Sequence, residues 1–280
     1  MARVLKVLAL VAVLVGSAPV FGQPVPAFHT TLDDLASITD TGGEIRDGTA
    51  TFVPGAIGNA LAGDSGTYAR WDDDDVGNVF AGWDDDAGVT VDMYFRGDHW
   101  DTHSGNSGFW SIVRRASDRY IILSVLDGNP RLLVRDADGE FKWHLNGNSG
   151  NDNGPLVTLA NDTTYRMTVS QHAGVFEMYL DGGAFSNDTP TFSTATDLLA
   201  ENDTLPVDWT WNMVPEGGNP ARQMNVGRRA IFDGLLQTGE WADDVRVFNG
   251  SYSPAMLDIP EPASLLLLAA GVLPLLRRRR

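Results

Sequence analysis

"RYIILSVLDGNPRLLVRDADGEFKWHL", Arg119 to Leu145, decides the architecture. Aliphatic runs are interrupted at Asp127-Gly128-Asn129 and again at Asp138-Gly139, pairs that supply the positive φ angles of tight hairpin turns. The stretch reads as three strands joined by two reversals, and three consecutive hairpin-linked strands make an antiparallel sheet. Upstream, "GVTVDMYF" (Gly88 to Phe95) places Val89, Val91, Met93 and Phe95 on one face at the strand period of two. "FWSIVRR" (Phe109 to Arg115) follows a Gly/Ser/Asn loop. Downstream, "TYRMTVSQHAGVFEMYLDGG" (Thr164 to Gly183) reads as a hairpin turning at His172-Ala173-Gly174. "RQMNVGRR" and "WADDVRVFN" supply two late strands, and "TATFV" (Thr49 to Val53) an early one. Helical periodicity is confined to "TLDDLASIT" (Thr31 to Thr39), which suits a turn of helix or an edge strand. The expected fold is all-β, an antiparallel jelly-roll sandwich of about nine strands, with an N-terminal signal helix before it and a C-terminal hydrophobic helix after it.

The composition agrees with that architecture. The 280 residues carry 43% hydrophobic content, enough for a substantial core, and 30 glycines for turns. Formal net charge is -17, and six of the 20 Lys and Arg (Arg3, Lys6 and Arg277 to Arg280) lie in the terminal segments. The remainder is therefore more acidic than the whole chain. Such a surface repels phosphate backbones and anionic headgroups, which excludes nucleic acid as an expected partner. The absence of cysteine removes thiol catalysis and Cys-ligated zinc.

Both ends read as targeting segments. At the start, Arg3 and Lys6 precede an apolar run from Val7 to Val15, and Val20-Phe21-Gly22 forms a cleavage site before Gln23. Residues 1-22 are thus expected to be a secretory signal peptide. At the end, Pro260-Glu261-Pro262 precedes an uncharged, mostly aliphatic run from Ala263 to Leu276 and then Arg277, Arg278, Arg279 and Arg280. As a helix, those fourteen residues span about 21 Å at ~1.5 Å per residue, short of a ~30 Å hydrocarbon core. The arginines extend the reach by snorkelling to cytoplasmic headgroups. The order of these features resembles the PEP-CTERM sorting signal of bacterial surface proteins. That resemblance implies transient holding in the inner membrane, processing by an exosortase-type enzyme, and release to the envelope or an extracellular polysaccharide.

The body carries a second resemblance. "FVPGAIGNALAGDSGTYARW" (Phe52 to Trp71) contains Gly55, Gly58, Ala60 and Leu61 in a Gly-x-x-Gly-x-Ala-Leu phrase. The middle hairpin ends in Tyr179, Asp181 and Gly182, and the closing phrase is Asp243 to Asn249. In this order the three phrases resemble laminin-G-like, concanavalin A-like domains. Such a fold hosts many functions, so the resemblance implies a scaffold more than an activity. The expected layout is residues 1-22 as signal peptide, 23-258 as jelly-roll domain, and 259-280 as sorting and anchor segment.

Two acidic clusters, Asp72, Asp73, Asp74 and Asp75, then Asp84, Asp85 and Asp86, offer the carboxylate oxygens that hard cations take. They are the candidate Ca²⁺ ligands, and Ca²⁺ binding also occurs in many domains of the resembled type. The competing reading is that runs of Asp are solvated turns, since neither cluster has EF-hand spacing. His99 and His103 stand in a Gly-rich loop that lacks the helix their spacing requires, so a transition-metal site is not expected there. Tryptophans in loop-like surroundings, Trp100, Trp143, Trp209 and Trp211, are candidate sugar-stacking platforms, with capping of the sandwich core as the alternative. Trp110 and Trp241, within strands, are expected in the core.

No catalytic residues are assigned. The Glu-x-Asp-x-Glu strand pattern of the glucanase relatives is missing, and so is a Gly-x-Ser-x-Gly elbow. The expected function is an exported, surface-displayed recognition or adhesion module that binds extracellular glycan, with Ca²⁺ assisting. The alternatives are a structural component of the envelope matrix, and a carbohydrate-active hydrolase or lyase working through scattered carboxylates.

Overall fold

A computed structural model describes residues 24–63, 66–72, 88–102, 105–114, 119–136, 139–144, 158–172, 175–182, 191–192, 222–228 and 234–257. They belong to two units, Pro26–Ser253 and a second comprising Met1–Val25 with Pro254–Arg280.

In the first unit the strands run in chain order as β1 (Phe28–Thr30), β2 (Glu44–Arg46), β3 (Phe52–Pro54), β4 (Asn59–Ala62), β5 (Tyr68–Asp72), β6 (Val89–Arg96), β7 (Asn106–Arg114) and β8 (Arg119–Leu126). They continue as β9 (Asn129–Asp136), β10 (Gly139–His144), β11 (Tyr165–His172), β12 (Val175–Gly182), β13 (Thr191–Phe192), β14 (Arg222–Val226) and β15 (Trp241–Asn249). Among the described residues these make two antiparallel sheets. One has eight strands in the order β13-β12-β11-β6-β15-β4-β3, with β1 added to β15; the other has seven, in the order β10-β9-β8-β7-β14-β5-β2. The strands β8 to β10 are neighbours in sequence and in space, as the Arg119 to Leu145 stretch predicts, and β7 pairs with β8 ahead of them. By contrast β14 separates β7 from β5, and β15 separates β6 from β4, so late strands close both sheets in the manner of a jelly roll.

The two sheets bury one apolar layer between them. Val89, Val91, Met93 and Phe95 of β6 meet Ile121, Leu123 and Val125 of β8 and Met224 and Val226 of β14 in a single cluster. Strand alternation alone cannot put Phe109 and Trp110 into that cluster together. A register shift in the β7–β8 pair between Gly108 and Trp110 does so, by inserting one extra residue. Trp110 is fully buried, and Trp241 is buried in a separate cluster with Ala60 and Tyr94.

The β8–β9 reversal is a two-residue turn, with Leu126 opposite Asn129 and both Asp127 and Gly128 at positive φ, 49° and 74°. That is the conformation the Asp-Gly pair predicts. Gly128 also lies against the Trp100 carbonyl, where a Cβ would intrude. The segment from Thr31 to Thr39 forms a short helix, α1 (Leu35–Thr39). Its N-cap Asp34 accepts from the Ser37 amide at 2.8 Å, and the Ser37 hydroxyl receives the Asp34 amide in return.

In the second unit the described residues are 24–25 and a four-residue helix, α2 (Pro254–Leu257). Among the described residues no helix is long and apolar enough to cross a membrane. The expected signal and anchor helices fall outside the described residues.

Candidate functional site

The seven-stranded sheet turns a polar strip away from the core at its β2 end. Along β5, Ala69 and Trp71 face inward, which leaves Tyr68, Arg70 and Asp72 on the outer face at period two. The register then sets Arg70 between Glu44 of β2 and Asn225 of β14, with Ser111 of β7 next in the row. Asn225 Nδ2 donates to Ser111 Oγ at 3.2 Å, and the Ser111 hydroxyl donates to the Arg228 carbonyl at 3.0 Å. Arg228 lays its guanidinium over the Tyr68 ring, 4.6 Å from the centroid, and donates to the Tyr68 hydroxyl at 2.6 Å.

The strip is self-neutralised. Arg46 pairs with Glu44, Arg70 with Asp72, and Arg228 approaches Asp47 at 3.7 Å. Burial alone would lower the Arg70 guanidinium, but the hydrogen bond and charge of Asp72 outweigh it and hold Arg70 above its ordinary value. Arg46, Arg228 and Asp72 are partly exposed, whereas Tyr68, Asn225 and Ser111 are buried beneath. Chemically, the arrangement offers fixed donors and acceptors with little net charge, over a buried aromatic ring.

This arrangement bears on the candidate cation ligands. Asp72 is a β5 residue with both carboxylate oxygens engaged by Arg70, Oδ1 receiving Nε at 2.8 Å and Oδ2 receiving Nη2. The Asp72 carboxylate is thus charge-balanced by Arg70 without a cation. Asp73, Asp74, Asp75, Asp84, Asp85 and Asp86 lie outside the described residues. Among the described residues no group of three or more His, Asp or Glu is placed to hold a metal ion.

The tryptophans need one correction. Trp100 is 1% exposed and packs among Phe95 and Phe109, with centroids 6.4 and 6.0 Å away. An indole in that position has no face to offer a sugar, so Trp100 caps the core and is not a stacking platform. Its polar neighbours in sequence point outward while the ring turns in. Trp143 sits in β10 and not in a loop, and its side chain lies outside the described set, as do Trp209 and Trp211. The sorting residues Pro260, Glu261 and Pro262 and the basic end Arg277 to Arg280 are likewise outside it.

The outer face of the eight-stranded sheet is built differently, around buried charge. Asp92 of β6 is fully buried on that face and accepts from Arg166 Nε at 2.8 Å, from Thr168 Oγ1 at 2.6 Å and from Arg246. Nearby, a register shift in the β15–β6 pair falls between Asp243 and Arg246, with Asp244 at φ 47°. Asp243 Oδ2 then accepts the amides of Ala56 and Ile57 at 2.7 and 2.8 Å. Burial pushes the Asp243 carboxyl up to about 6, against the lowering effect of those amides. Gly55 permits the approach, since a Cβ there would contact Asp243 Oδ2. Asp244 meets His29 of β1 at 2.6 Å. The opening Gly-x-x-Gly phrase and the closing Asp-Asp-Val-Arg phrase are thus two halves of one internal junction.

Sequence reasoning overlooked Arg46, Arg70 and Arg228. The alternation Tyr-Ala-Arg-Trp-Asp at 68–72 is a signal that finds the first rank of the strip. Nothing local indicates that Arg228 covers Tyr68 from 160 residues away.

Comparison with known proteins agrees with this description at two levels. Residues 258–280 match the PEP-CTERM protein-sorting motif. Domain 4 of AbnA, an extracellular GH43 arabinanase from Geobacillus stearothermophilus solved with arabinotriose, is similar at a TM-score of 0.51 and 14% identity, over 84% of this chain and 97% of that one. The receptor-binding domain of botulinum neurotoxin mosaic serotype C/D is similar at a TM-score of 0.51 and 12% identity, over 86% of this chain and 50% of that one. No curated protein matches. The chain is therefore a jelly-roll β-sandwich protein. More particularly, it is one that carries a PEP-CTERM sorting motif at its C-terminal end.

Proposed function

We propose that the protein is an exported, surface-displayed, non-catalytic module that recognises extracellular glycan. The observation that carries this reading is the strip on the seven-stranded sheet. Paired charges and amides at fixed positions suit vicinal hydroxyls, which need directional donors and acceptors and no net charge. The sorting motif supports display: the tail is held in the inner membrane, cut near Pro260-Glu261-Pro262 by an exosortase-type enzyme, and the acidic body passes to the envelope. The arabinotriose bound to the similar arabinanase domain supports the ligand class. Of the stacking platforms, Trp143, Trp209 and Trp211 stay in the proposal. So does a Ca²⁺ role for Asp73, Asp74, Asp75, Asp84, Asp85 and Asp86, which calorimetric titration of the full chain tests.

The deciding experiment is a glycan array probed with the full chain, in Ca²⁺ and in chelator. Binding to a defined class of saccharide, weakened about tenfold or more by Arg70→Ala or Arg228→Ala, is expected if each removes a charge-assisted hydrogen bond of about 1.5–3 kcal/mol. An array without binding in either buffer would leave display in the matrix as the better reading. Release of reducing ends from soluble polysaccharide would replace both with an enzyme.

A further inference from the structure

One end of the sandwich is knitted by polar loops. The loop after β6, residues 97–102, receives the Asp162 amide at the Gly97 carbonyl (2.9 Å) and exchanges two bonds between Asp101 and Asn161 (3.1 and 2.6 Å). Within that loop His99 stands between two carboxylates. Its Nδ1 is 2.6 Å from Asp98 Oδ1, and its Nε2 is 3.7 Å from Glu240 Oε1, across from the turn that precedes β15. Glu240 is a buried carboxylate held by the Ser107 hydroxyl at 2.8 Å and the Gln237 amide at 2.8 Å. The imidazole lies nearly parallel to the Trp100 indole, centroids 6.0 Å apart. We propose that Asp98, His99 and Glu240 form a pH-responsive clasp that fastens the loop after β6 to the turn before β15 and keeps Trp100 covered.

The chemistry follows from the placement. A neutral imidazole can donate from one nitrogen only, whereas imidazolium donates from both and carries a charge that two flanking carboxylates attract. The groups that act on His99 are Asp98 on its own loop and Glu240 and Gln237 on the opposing turn, and the nearest cation in sequence is Arg96 at the end of β6. Arg96 is already committed to Asp162 at 2.6 Å. Anionic groups therefore dominate around the ring. Burial alone would lower the His99 pKa, but the Asp98 hydrogen bond and the Glu240 charge overcome it and raise the value above 6.5. A group raised in the folded state contributes its stability fully below 6.5 and loses it as pH rises through the folded value. The clasp is closed in mildly acidic surroundings and loosens in alkaline ones.

The test combines a titration and a local opening measurement on the full chain. In the wild type, the His99 ring proton resonance, assigned by its absence in His99→Gln, is expected to titrate with a midpoint above 6.5. Hydrogen exchange of residues 98–102, corrected for intrinsic rates, is expected to report an opening constant that grows with pH. The growth is up to about tenfold per pH unit across the interval between 6.5 and the folded value. His99→Gln should flatten that pH dependence while the β8–β9 hairpin keeps its protection. A midpoint at or below 6.5, or an unchanged pH slope in His99→Gln, overturns the proposal. If the variant fails to fold, the His99 resonance is assigned in the wild type by triple-resonance spectroscopy, and the titration still decides the matter.

Discussion

Asp243 sits in the closing strand as a side chain that two backbone amides depend on. Its removal by Asp243→Ala would take the acceptor from the Ala56 and Ile57 N–H groups, which stand in a partly exposed turn that water reaches, at a cost of about 0.5–1.5 kcal/mol per lost bond. Denaturant unfolding should report a loss in that range. Asp243→Asn keeps an oxygen for both amides and removes the titration. Because the folded carboxyl is raised from 3.8 to about 6, its contribution is present below pH 3.8 and is lost as pH climbs to about 6. The Asn variant should therefore gain on the wild type over that interval, and an identical pH slope in the two proteins would contradict the assignment. Trp100 belongs to the same scale. Trp100→Ala should cost about 3–5 kcal/mol in chemical unfolding, as expected of a large buried aromatic and not of a surface platform.

Among the elements, the β8–β9 hairpin was the most legible from sequence, because its turn chemistry is local: Asp127 and Gly128 meet a backbone requirement that few other pairs meet. Gly128→Ala should destabilise by more than about 1 kcal/mol, since φ 74° and the adjacent Trp100 carbonyl both oppose a Cβ. An equilibrium unfolding curve that overlays the wild type would refute this. β6 was legible on one face only. Its alternation identifies Val89, Val91, Met93 and Phe95 as core, yet Thr90, Asp92 and Tyr94 are buried as well. The reason is non-local: the arginines that neutralise Asp92 stand 74 and 154 residues away. β1, β2, β4, β5 and β13 were not anticipated, since two to five residues carry too little pattern to signal a strand, although the alternation within β5 is plain once its pairing is known. The candidate site divides in the same way. The outer rank of β5 follows from alternation, while the Arg228 cover on Tyr68 depends on long-range pairing. Trp100 was misread because polar neighbours in sequence do not determine where a ring points.

At the scale of the whole molecule, acidity and the two titrating groups act in one direction. Both Asp243 and His99 are raised on folding, so each withdraws stability as pH rises, and the net charge of -17 adds self-repulsion on the alkaline side. Scanning calorimetry should therefore find a higher Tm at pH 5.5 than at pH 8, with the gap narrowed in Asp243→Asn and His99→Gln. A Tm that rises over this interval would count against the placement of both groups. The sorting motif makes a second prediction at this scale. Intact-mass analysis of the mature protein from the envelope should show a chain ending near Pro260-Glu261-Pro262, and a mass that still includes Arg280 would exclude processing.

β15 is an interior strand, paired with β6 along its length on one side and with β4 and then β1 on the other. It is also the last strand before the chain runs on towards residue 258, where the sorting motif begins. Any pull transmitted along that exit enters the sheet lengthwise through β15 and loads its flanking hydrogen bonds in parallel, not one at a time. Single-molecule extension from the C-terminal side should therefore meet a high rupture force, as a sheared ladder does. Seating the exit strand in the middle of the sheet makes the fold a mechanical coupling as well as a scaffold.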